Sequence, residues 1–169
     1  IRIINEENNA LPARDIIWFL PEANGSNIAV ALEAVLKNLG ISKNYKILHV
    51  FDASGDPGAQ LQANVDAGYR TIILVGKMWA MGVSLPTVDI AIMGFGSNES
   101  QSDAYIQKSF RCMTEYPGKK FGFVIDLSPC RTIYSCIQIG NIKGSSPHEC
   151  LQRINEYNCI NLYFAQETE

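Results

Sequence analysis

The sequence predicts an α/β fold, a mainly parallel sheet with helices on both faces. Three observations carry this. Short continuous apolar runs, such as Ile16-Ile17-Trp18-Phe19-Leu20, suit central strands buried on both faces. They alternate with stretches whose apolar residues recur at helical spacing. The intervals between strands are too long for hairpins, which leaves right-handed β-α-β crossovers.

Residues 1–14 are polar and Asn/Glu-rich, and read as a lead-in or linker to one domain over residues 15–169. The first strand, Ile16 to Leu20, is stopped by Pro21. Asn24-Gly25-Ser26-Asn27 offers turn and N-cap chemistry. Ile28, Ala31, Leu32, Val35, Leu36 and Leu39 then mark a helix that Gly40 ends. Lys46 to Phe51 is the second strand. Asp56-Pro57 is an N-cap with proline in the first turn, and the helix it opens runs to about Ala67. Thr71 to Val75 and Asp89 to Met93 are the third and fourth strands. Ser100 or Ser102 can cap a helix from about Asp103 to Met113. Phe121 to Leu127 is the fifth strand, and Pro129 opens a helix containing Ile133 and Ile137. A last helix starts at Ser146-Pro147 and runs to about Tyr157. Ile160 to Phe164 adds a short strand or packs irregularly.

At 169 residues, 47% hydrophobic and 18% charged, the chain can bury a core. No apolar run approaches the ~18–20 residues a membrane helix needs, so a soluble, cytoplasmic protein is expected. The net charge of −3 argues against strong nucleic-acid binding by this chain alone, because phosphate contacts need a basic surplus. Cys112, Cys130, Cys136, Cys150 and Cys159 are odd in number and include no CxxC, which reads as reduced thiols. His49, inside an apolar strand, reads as core, and no metal site is expected. The start at Ile1, without methionine or signal pattern, suggests a piece of a longer protein.

Ligands of open α/β sheets bind at the carboxyl ends of the strands. The corresponding loops are residues 21–26, 52–58, 76–86, 94–102 and 128–131. A P-loop fails, since Met78 follows Gly76-Lys77 and no glycine stands at position 71. Gly94-Phe95-Gly96 lacks the third glycine of a dinucleotide fingerprint, and neither GxSxG nor HExxH occurs. The motifs of a self-sufficient ATPase, dehydrogenase or hydrolase are therefore not visible in the sequence. What remains is the segment from Thr71 to Met113. A strand runs into the turn Gly82-Val83-Ser84-Leu85-Pro86, a second strand and a polar loop follow, and a helix then carries Gln107, Lys108 and Arg111. Plainer readings stand beside it. Arg111 and Gln107 also suit ordinary helix surface, Met78-Trp79 and Met81 suit packing, Lys119-Lys120 suits a solvated turn, and Asp126 suits a loop-orienting or helix-capping role.

The order of these parts resembles the second, C-terminal RecA-like lobe of superfamily-2 helicases and translocases, over roughly residues 15–130. Asp15 to Leu20 looks like motif IV. Thr71 to Pro86 is similar to motif V, with Gly82 in place and Ser84 where aspartate is usual. Ser100 to Thr114 resembles motif VI, Gln-Arg-x-Gly-Arg-x-x-Arg, here Gln107-Lys108-Ser109-Phe110-Arg111-Cys112-Met113-Thr114. Phe110 stands at the glycine and Thr114 at the last arginine. Pro117-Gly118-Lys119 and the strand to Leu127, with Asp126, look like the segment after motif VI in type III restriction-type and phage or plasmid helicases.

The resemblance implies a P-loop NTPase lobe without its own P-loop, closing on ATP and Mg2+ held mainly by a first lobe, with DNA or RNA across the cleft. Arg111 would be an arginine finger toward the γ-phosphate, and Gln107 would position the nucleotide or its water. Gly82, Ser84 and Lys108 would contribute to the nucleotide side. Lys77 and Ser54 would contact the nucleic-acid backbone. The chain alone is not expected to hydrolyse ATP. The competing expectation is a non-enzymatic doubly wound module that binds a small ligand or protein at its loop edge, and a lobe kept only as a scaffold is a third.

Overall fold

The computed structural model describes residues 15–21, 23–51, 56–76, 85–94, 103–119, 122–128, 131, 146, 148, 149 and 152. The apolar runs form β1 (Asp15–Phe19), β2 (Tyr45–Val50), β3 (Arg70–Val75), β4 (Val88–Met93) and β5 (Phe123–Asp126). They make one five-stranded sheet in the order β2-β3-β1-β4-β5. Every pairing is parallel. The α/β expectation holds, and each predicted strand is present within two residues of its expected start. The helix predicted from Pro129, the last helix predicted from Ser146-Pro147 and the short strand at 160–164 lie outside the described residues, except at isolated positions.

Three helices are described: α1 (Gly25–Asn38), α2 (Pro57–Asp66) and α3 (Asp103–Ser109), the last continued by a 3-10 turn over Phe110–Met113. Helix α2 starts as expected, with the Asp56 carboxylate accepting from the Ala59 amide at 3.1 Å and Pro57 in the first turn. Helix α1 starts three residues earlier than the apolar spacing indicates. Asn24 precedes it in a left-handed conformation with no side-chain cap. Farther on, the Glu149 carboxylate accepts from the Ser146 amide at 2.7 Å and the Ser146 hydroxyl accepts from the Glu149 amide at 3.3 Å, a reciprocal helix-start pattern.

Side chains alternate across the sheet and divide the core into two layers. Ile17, Phe19, Ile73, Val75, Ala91 and Met93 face Leu61 of α2, Tyr105 of α3 and Cys112. Ile16, Leu20, Ile72, Leu74 and Ile90 face Ala29, Leu32 and Leu36 of α1. Helices therefore cover both faces, and Ile17, Ile73 and Leu74 have no exposure at all. No helix among the described residues is long and apolar enough to cross a membrane.

The carboxyl edge is tied by a row of hydrogen bonds that outlasts the strands. Gly76 N–H donates to Val50, Leu20 to Val75, Gly94 to Phe19 and Leu127 to Met93, at 2.9 to 3.2 Å. Gly94 has a steric role in that row. A Cβ there would lie 2.5 Å from the Phe19 carbonyl oxygen, so the close approach of β4 to β1 requires glycine.

Two expectations change. His49 is not core: β2 is an edge strand, and its imidazole is 30% exposed and lies 2.9 Å from Glu33 of α1. The helix predicted to Met113 tightens after Ser109. There the Ser109 hydroxyl donates to the Tyr105 carbonyl at 2.9 Å and the Cys112 thiol to the Ser109 carbonyl at 3.2 Å, competing with the helical ladder. Gly122, just before β5, presses on the Cys112 carbonyl so closely that a side chain there would collide with it.

Gly94→Ala is expected to lose about 2 kcal/mol or more of unfolding free energy in urea denaturation; a loss under about 0.5 kcal/mol would show that the edge accommodates a Cβ.

Candidate functional site

Three sequence-singled residues lie together on α3 and its 3-10 continuation. Gln107 is exposed, and Lys108 and Arg111 are half-buried. The Lys108 ammonium sits 5.8 Å from the centre of the Phe19 ring, at the carboxyl end of β1, within cation–π range. Gly82, Ser84, Lys77 and Ser54 fall outside the described residues. Phe110 is 55% exposed, so the bulk at that position meets no packing conflict.

The element carrying these residues runs down the sheet face, from the carboxyl edge toward the amino edge, and is anchored at both. At the carboxyl edge the anchor is Asp126, the last residue of β5. Its carboxylate accepts from the Tyr105 hydroxyl at 2.7 Å, the Ser128 amide at 2.8 Å, and Arg131 Nε and Nη2 at 2.8 and 2.6 Å. A carboxylate has about four acceptor positions, so these donors saturate it. The same Arg131 nitrogen donates to the Gly94 carbonyl at 2.7 Å, and the guanidinium lies 5.7 Å from the centre of the Tyr105 ring. The pair is almost sealed from solvent, with side-chain exposures of 8% for Arg131 and 4% for Asp126. Arg131 is thus committed to the fold, although it lies at the edge where a phosphate-binding cation would be sought.

At the amino edge the anchor is Lys119. Its ammonium donates to the carbonyls of Val88 and Thr114, each at 2.7 Å, and of Pro86 at 3.4 Å, with the Asp89 carboxylate at 4.0 Å. Its side chain is 6% exposed, so the expected solvated turn is instead an internal clamp. Thr114 directly follows the 3-10 turn, and Lys119 therefore fixes the end of the Arg111 segment. A register shift between β1 and β4 at Asp15/Ile16 leaves Asp89 without a partner in the β1 register.

Asp15 completes this edge. It is 1% exposed and accepts from the Thr71 amide at 2.7 Å. Burial pushes its carboxyl above the ordinary 3.8, and nearby Asp89 adds to this, while the Thr87 hydroxyl and the Thr71 amide and hydroxyl oppose it. Cys112, fully buried between the edges, has its thiol pushed up to about 11 by the same desolvation, an inert packing thiol rather than a nucleophile.

Among the described residues no group of three or more His, Cys, Asp or Glu is placed to hold a metal ion. Sequence reasoning missed Tyr105, Arg131, Lys119, Asp15 and Asp89 as site-forming residues. Two carried a signal: Asp15 and Asp89 are carboxyls at the heads of apolar runs, where a charge is unexpected unless it is paired.

The stability linked to Asp15 follows from its raised position. Its protonated form is favoured in the fold, so its contribution is most favourable below about pH 3.8 and is lost as the pH rises through the folded value. Asp15→Asn is expected to gain stability relative to wild type at about pH 7, and this gain shrinks near pH 3. Thermal melts across that range check it, and a gain independent of pH would contradict it.

No protein-family model matches the sequence, and no curated protein matches it. Among solved structures, the chain is similar to the C-terminal domain of the DEAD-box protein Dbp5, at 19% identity and a TM-score of 0.50, over 86% of this chain and 78% of that one. It is also similar to the C-terminal part of the Fun30 ATPase domain, at 18% identity and a TM-score of 0.45, over 73% of this chain and 36% of that one. The strand order, the parallel pairing and the first of these likenesses define an α/β RecA-like fold.

Proposed function

We propose that this chain is the second motor lobe of an ATP-dependent nucleic-acid helicase or translocase, with residues 15–169 forming one RecA-like domain. The observation that carries the reading is the α3 element. It carries Gln107 on a helix and Arg111 on the 3-10 turn that continues it, anchored at both edges of a RecA-like sheet, in the order motif VI would require. The likeness to a DEAD-box protein's C-terminal domain supports the same reading at the level of the fold.

In this reading a first lobe brings ATP and Mg2+, since the sequence has no P-loop. The Arg111 guanidinium offsets negative charge that develops on the transferred phosphoryl group, and its planar fork suits that better than an ammonium. Gln107, on the preceding turn, orients the nucleotide or the attacking water. Lys108 adds positive charge on the same face, but its ammonium leans toward Phe19. Gly82, Ser84, Lys77 and Ser54 complete the proposed nucleotide and nucleic-acid contacts. The finer placing among type III restriction-type and phage or plasmid helicases rests on the sequence resemblance after motif VI.

The test uses a protein carrying both lobes and measures nucleic-acid-stimulated ATP hydrolysis. Arg111→Ala is expected to lower kcat by about 10³-fold or more, the usual loss for an arginine finger; a rate within about threefold of wild type sinks the role. A gene that encodes no upstream GxxxxGK[ST] and no acidic DExx-like motif would instead favour the non-enzymatic module.

A further inference from the structure

The buried node at the end of β5 has a property that packing alone does not require. Asp126 and Arg131 already satisfy each other through two short bonds, and the backbone of Ser128 and Gly94 takes up most of what remains. The Tyr105 hydroxyl is the one donor in this set that comes from α3. Its ring is 8% exposed and lies beside the guanidinium, so the phenol is held as a stiff lever between helix and sheet. Tyr105 precedes Gln107 by two residues and Arg111 by six. Any rotation or slide of α3 about its anchor is transmitted to both.

We propose that Tyr105, Asp126 and Arg131 form a positioning network that sets the orientation of the Gln107–Arg111 face, a role that rests on the second-lobe reading above. The physical argument is one of rigidity rather than strength. A buried ion pair adds little net stability against its desolvation, but its geometry is narrow. Coupling α3 to that pair through one short hydroxyl bond passes the narrowness to the helix. Transition-state contacts need such precision, since a misplacement of about 1 Å can cost about 10²-fold in rate. Arg131 also holds the Gly94 carbonyl, so the same network sets where the loop after β4 departs toward α3.

The experiment compares Tyr105→Phe with wild type and with Arg111→Ala in the two-lobe protein. Removing the hydroxyl leaves the ring, and Asp126 keeps its other donors, so a folded protein is expected. The prediction is a kcat lower by about tenfold or more, with KM for ATP within about twofold. Arg131→Lys, which keeps the charge but not the two-pronged pairing, is expected to do the same.

A second readout does not depend on activity. In the 169-residue chain, hydrogen exchange at the amides of residues 107–111 is expected to speed up by about tenfold in Tyr105→Phe, with β1 and β3 unchanged. Faster exchange with unchanged kcat would mean that the network holds the helix without serving the site, and would overturn the proposal. Unchanged exchange with unchanged kcat would reduce the tyrosine to packing and overturn it too, as would β1 and β3 loosening along with α3. If Arg111→Ala leaves the ATPase intact, or the wild type has none, the second-lobe reading fails instead. The network then loses its chemical purpose, whatever the exchange shows.

Discussion

A parallel sheet covered on both faces has nowhere to hide polar backbone except in its own ladder and at its two edges. That constraint organises this molecule. Inside the sheet every strand pairs in parallel with its neighbours, and the core residues of β1 and β3 are almost completely buried. At the edges, where ladders end beneath helices, side chains take over. Lys119 collects carbonyls at the start of β4, and Arg131 collects them at its end, each held near a buried aspartate.

These two clamps also decide where the candidate chemistry sits. Tyr105 fastens the head of α3 to Asp126, and the Thr114 carbonyl fastens the tail of the 3-10 turn to Lys119. The Arg111 segment is stretched between them along the sheet face, not gathered into the loops of the carboxyl edge. Phe110 has room because its position faces solvent, and Thr114 works through its backbone carbonyl.

Much of the fold was legible because it depends on local signals. Apolar runs without alternation mark doubly buried strands, and Asp56-Pro57 marks a helix start by chemistry confined to neighbouring residues. The candidate site was legible only in part. Gln107, Lys108 and Arg111 could be singled out because they share one short element. Tyr105–Asp126 and Lys119–Val88 could not, since each joins residues that only folding brings together. His49 shows the same limit: the pattern around it is apolar, but strand order puts β2 at the edge, where an imidazole can reach both water and Glu33.

The sequence by itself determined the alternation of strand and helix, the parallel pairing that long crossovers impose, and the failure of a self-contained phosphate cradle. Those follow from side-chain period, turn chemistry and motif spacing, all of which act over a few residues or a single connection. Tertiary structure alone decided which cations are drawn into the fold and which stay near its surface. Before folding, Lys119, Arg131 and Arg111 are alike as exposed cations. Desolvation distinguishes them: two are drawn inside, where an unpaired charge is too costly to persist and must bind carbonyls and carboxylates. Arg111 stays half-buried on the flank, and the chain's separation in sequence carries no information about that difference.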